Sequence, residues 1–135
     1  MGLKEVRENI VENFEKRKEK VDEENKISED IKIGIKMAKS YLKKKNYSAS
    51  FFMFFRALKL ICLLYLIKQH GKVAEISELD ALFFVSKKDG FPFNEEMAKE
   101  FLKKFDLVLS RKELERKDCI EIKKIVEGMG KKIGI

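Results

Sequence analysis

The chain has 135 residues and a mass of 15.9 kDa, enough for one domain with one modest core. Hydrophobic residues make up 44% and charged residues 39%, which excludes disorder over the whole length. Two cysteines and one histidine exclude a disulfide framework and a four-ligand zinc site. Abundant Lys, Glu, Leu and Ile with one Pro, no Thr and no Trp read as an all-α protein. The Lys/Glu excess with a single Gln fits a thermophile's composition. The isolated thiols of Cys62 and Cys119 point to a reducing cytoplasm.

The net charge of +7 is unevenly spread. Residues 1–30 carry 7 basic and 10 acidic groups, and residues 71–135 carry 14 and 13. Residues 31–70 carry 9 basic groups and no acid, so the positive excess sits in the middle third.

In chain order, a first amphipathic helix is expected over about residues 3–23. Leu3, Val6, Ile10, Phe14 and Val21 share one side, and Glu5, Glu8, Glu12, Glu15, Glu19 and Asp22 the opposite one. Residues 1–27 therefore read as an N-terminal helix, distinct from a helical bundle over 28–135. Ser28 reads as the N-cap of a second helix reaching about residue 45, with Asn46 as its left-handed stop. Ile31, Ile35, Ala38 and Leu42 form the apolar stripe of that helix, and Lys32, Lys36, Lys39 and Lys43 a basic one.

A third helix is expected over residues 48–70. Its run FFMFFRALKLICLLYLI is apolar nearly all round but carries Arg56 and Lys59, so it reads as a buried core helix and not a membrane span. Its least apolar side is the row Phe52, Arg56, Lys59, Leu63 and His70. Arg56 and Lys59 must either snorkel to a bundle edge or line a pocket. Ser77 and Asn94 read as caps of a short helix and of an amphipathic helix ending near Leu109. Asp118 with Glu121 reads as the capping-box start of the last helix, and Gly128, Gly130 and Gly134 as a fraying tail.

The string NYSASFFMFFRALKLICLLYL at residues 46–66 resembles the second-to-third-helix region of the HEPN superfamily, small helical domains often encoded beside minimal nucleotidyltransferases. Tyr47 and Ala49, the pair Phe51-Phe52, then Phe55, Ala57 and Lys59 carry the resemblance. It implies an antiparallel bundle of four to five main helices, commonly dimeric, associated with RNA or nucleotides and in many members acting as a metal-independent ribonuclease toxin. The family's signature is Arg, four to six residues, then His, near the start of the last long helix. Here the residue five positions after Arg111 is Arg116, and the single His70 lies in another helix. A metal-free attack by an RNA 2′-hydroxyl needs a group that exchanges protons near neutrality, and Arg stays protonated.

The expectation is therefore a non-catalytic HEPN-like domain binding RNA or nucleotide, a toxin–antitoxin-type partner of a nucleotidyltransferase. Lys32, Lys36, Lys39, Lys43, Arg111 and Arg116 are the candidate phosphate contacts, and Arg56 and Lys59 a candidate pocket. No cofactor, metal or membrane is expected. The alternative is a protein-interaction or oligomerisation module without nucleic-acid binding. A homodimer is expected in either case, since one helix devotes more large apolar residues than a small core needs.

Overall fold

The computed structural model describes residues 3–71 and 76–135, with side chains from residue 21 onward. Five helices follow one another: α1 (Leu3–Lys43), α2 (Tyr47–His70), α3 (Glu78–Ser86), α4 (Glu95–Leu109) and α5 (Arg116–Ile133). There is no strand among the described residues. The all-α bundle read from composition and periodicity is the architecture observed.

α2 is the axis, because its sequence offers apolar side chains in every direction. Phe51, Phe54, Phe55, Leu58, Ile61, Leu64 and Ile67 are all buried, and α2 packs against each of the other four helices. It is long and apolar enough to cross a membrane, yet those helices cover it. Phe51 stacks on Phe55 at 6.1 Å between ring centroids and meets Phe101 of α4 edge-on at 6.3 Å. The row Phe52, Arg56 and His70 is exposed, as the sequence suggests.

α1 corrects the expected break. Residues 23–30 run through in one helix, and Ser28 caps nothing. That segment holds no Gly or Pro, and Ser costs little inside a helix. Ile27 and Ile31 carry the apolar stripe across it, whereas a break would leave orphan N–H and C=O groups at two new termini. The stripe Leu3, Val6, Ile10 and Phe14 and the acidic residues Glu5, Glu8, Glu12, Glu15 and Glu19 on the opposite side lie outside the described side chains, as do residues 72–75 of the loop after α2, while Asp22 is exposed. Val21 is exposed.

The capping expectations hold for Ser77, whose Oγ accepts from Asp80 N at 3.0 Å, and for Asn94, whose Oδ1 accepts from Met97 N at 2.9 Å. Leu109, the last residue of α4 and its expected end, is exposed. The last helix begins earlier than Asp118. Its N-cap is Glu115, whose N–H donates to the Asp118 carboxylate at 2.9 Å. Asp118 thus serves as the third residue of α5, its charge committed backwards and to Lys104 Nζ of α4 at 3.1 Å. The glycine tail does not fray. α5 runs through Gly128, which lies close against Pro92, and through Gly130, and Gly134 ends the helix in the left-handed conformation.

Burial works to raise the Asp118 carboxyl pKa, but the Glu115 N–H and the Lys104 ammonium outweigh it and hold it below its ordinary 3.8. The depressed native value means this stabilisation is complete above the unfolded pKa and is lost as pH falls through the native one. Asp118→Asn keeps an acceptor for the Glu115 N–H and loses the pairing with Lys104, so it is expected to cost about 0.5–1 kcal/mol at pH 7. Urea denaturation of both proteins should show that gap closing below about pH 4. A gap unchanged at low pH would contradict the ion-pair account.

Candidate nucleic-acid interface

Three elements meet at one end of the bundle. α1 ends there and α2 begins after only three residues. α4 runs antiparallel to α2, bringing Val108 to Ser48, and the loop before α5 closes the ring. That loop is stitched to the first turn of α2. Ser48 Oγ donates to Lys112 O at 3.5 Å and accepts from Leu114 N at 3.4 Å, and Cys119 Sγ donates to Tyr47 O at 3.1 Å.

α1 and α4 end in the same way. After α1, Lys45 N donates to Leu42 O at 3.1 Å and Asn46 N to Tyr41 O at 2.9 Å, with Lys45 at φ 62°. After α4, Arg111 N donates to Val108 O at 3.0 Å and Lys112 N to Leu107 O at 2.9 Å, with Arg111 at φ 59°. Both are Schellman turns in which a long cation takes the left-handed position that glycine normally fills. The left-handed residue is thus Lys45, not the expected Asn46. Asn46 instead caps α2, its Oδ1 accepting from Ala49 N at 3.3 Å, a task that Lys has no acceptor for.

Between the two turns lies a cleft of about 380 Å³. Among the described residues, Lys45, Arg111 and Lys112 supply its cations, Tyr47 and Ser48 its hydroxyls, and Glu113 its one carboxylate. Lys43, Lys44, Lys45, Arg111 and Lys112 are exposed, and none has a carboxylate within 4.0 Å among the described residues. Cations near helix C-termini complement the macrodipole, which accounts for one on each helix. It does not account for three lining one hollow, with Lys43 and Lys44 exposed just before Lys45 in the chain.

The expected lysine stripe is divided. Lys32 pairs with Glu29 at 3.8 Å, and Lys39 with Glu127 of α5 at 3.6 Å. Lys36 and Lys43 are exposed without a carboxylate partner among the described residues. Arg111 lies in the cleft, whereas Arg116 opens α5 and lines a separate depression with Lys117, Glu121 and Lys124. Arg56 is exposed. Lys59 sits over the rings of Phe55 and Phe105, at 5.1 and 5.5 Å, with Glu78 Oε2 at 4.0 Å. It holds α3 and α4 against α2.

Lys45 and Lys112 belong to this cleft but not to any stripe, so periodicity passes over them. Their signal is positional: each follows a helix end. His70 closes α2 at the far end, about 35 Å from Tyr47 along the axis, beside the apolar hollow of Leu66, Ile76 and Phe84. The cleft therefore has no imidazole. The thiols are no substitute, because burial pushes both Cys62 and Cys119 upward. Among the described residues no three His, Cys, Asp or Glu side chains come together as a metal site. No protein-family model, curated protein or solved structure matches the chain.

Proposed function

We propose that this protein is a non-catalytic, HEPN-like helical domain that binds RNA by its phosphates at the cationic end of the bundle. The observation that carries this reading is the set of three exposed cations lining one cleft, Lys45, Arg111 and Lys112, with Lys43 and Lys44 just before them in the chain and Glu113 as the only carboxylate in the lining among the described residues. Such a surface holds phosphate without reading sequence. The resemblance in α2 supports the family reading, since Phe51, Phe55 and Ala57 are buried and Tyr47 stands at the helix start beside the cleft. A nucleotidyltransferase is the partner this reading favours, in a toxin–antitoxin-type pair in the cytoplasm.

The test is binding of a fluorescein-labelled single-stranded RNA at low salt, followed by anisotropy, with the RNA then run on a denaturing gel. Salt-sensitive binding and intact RNA are expected. Absence of binding at low salt would remove the reading. Metal-independent cleavage that disappears in Arg111→Ala would instead make the cleft an active site.

Ile33 and Met37 favour a second reading, an interaction module. They stand one turn apart on α1, 54% and 41% exposed. A homodimer through this face is compatible with both readings. Sedimentation equilibrium giving only a 15.9 kDa species at tens of micromolar would exclude it.

A further inference from the structure

Next to the cleft, along both helices that form its wall, lies an aromatic pair, Phe52 exposed and Phe105 half-buried. On α2, Phe52 is one turn beyond Ser48. On α4, Phe105 is one turn before Val108. The two rings stack at 5.5 Å with 30° between planes. Phe105 is backed by Phe55 at 5.1 Å, while Phe52 is 37% exposed. Leu109, one turn beyond Phe105, is 62% exposed. One further turn along α2 stands Arg56, also exposed and without a carboxylate partner among the described residues. One side of the molecule therefore presents, in order, a cationic cleft, an aromatic shelf and a second cation.

Phosphate binding alone explains the cleft and leaves the shelf unexplained. Core packing accounts for Phe105, which lies half-buried against Phe55, but not for exposed Phe52, because Phe51 and Phe55 already fill the interior on this part of α2. Alternating cation and aromatic surface fits a chain whose phosphates alternate with unstacked bases. A base can lie on a ring only when it is free of its own stack, a condition that a duplex does not meet. We infer that the ligand is single-stranded nucleic acid, with one strand running from the Lys45–Arg111 cleft toward Arg56 and a base stacked on Phe52. This rests on the proposed phosphate-binding reading and adds the class of strand.

The chain has no tryptophan, so Phe52→Trp introduces a single emitter at the shelf. Its fluorescence should be quenched by a short single-stranded RNA and not by inorganic phosphate or by a duplex of the same sequence. Phe52→Leu keeps an apolar group on Phe105. It should weaken single-strand binding at least about five-fold, since a stacked base is worth about 1–3 kcal/mol. Duplex affinity and the salt dependence should not change. Three results would overturn the inference: equal single-strand affinity in Phe52→Leu, duplex bound as tightly as single strand, or Phe52→Leu dispersing a dimer with no effect on RNA. Salt-sensitive binding that ignores Phe52 leaves the phosphate reading intact, whereas no binding to either nucleic acid sinks both.

Discussion

Phe51→Ala is expected to cost about 3–5 kcal/mol, while Phe52→Ala, at the next residue, should cost under about 1 kcal/mol. The difference follows from the direction each ring takes on α2. Phe51 is fully buried between Phe55 and Phe101, so truncation removes its transfer energy and leaves a void among close-packed neighbours. Phe52, 37% exposed, sits at the surface with its ring stacked on Phe105, so its truncation opens no void in the core. Total stability for a domain of this size is about 5–15 kcal/mol. Phe51→Ala therefore approaches the limit of folding at ambient temperature. Urea denaturation of the two variants is the check. Equal midpoints would mean that α2 does not present the side chains described.

The second large effect separates binding from folding. Lys45 and Arg111 each hold a left-handed conformation that costs a side chain about 1 kcal/mol and costs glycine almost nothing. The double variant Lys45→Gly/Arg111→Gly should therefore fold with unchanged or higher stability. It should nevertheless bind RNA more than about ten-fold more weakly, because each lost charge–phosphate contact is worth about 1 kcal/mol in water. A stabilised protein with impaired binding cannot be explained by misfolding. Unimpaired binding would mean that the cleft is not the contact.

Much of the fold is legible in the sequence, for local reasons. The all-round apolar pattern of α2 makes it central, and Ser77 and Asn94 announce their helices because each cap acts within three residues. The continuity of α1 is not legible. Ser28-Glu29-Asp30 has the residue types of an N-terminus, and only the packing of Ile27 and Ile31 on the core decides against it. Asp118 misleads in the same way, since one carboxylate can serve as the first or the third member of a capping box. The cleft is the least legible feature. Its walls come from turns at Lys45 and Arg111, far apart in the chain, and no local period joins them. Helical spacing instead points to Lys32 and Lys39, whose ammonium groups have carboxylate neighbours.

That contrast gives the most direct measurement of the central claim, the salt dependence of RNA affinity. Three cleft cations on a single strand predict a log–log slope of about −2, and all five exposed cations about −3.5. Lys45→Gly/Arg111→Gly should reduce the magnitude by about 1.4, while Lys32→Gln/Lys39→Gln should leave it unchanged. A slope near zero, or one that falls with Lys32 and Lys39 and not with Lys45 and Arg111, would contradict the cleft as the RNA-binding site.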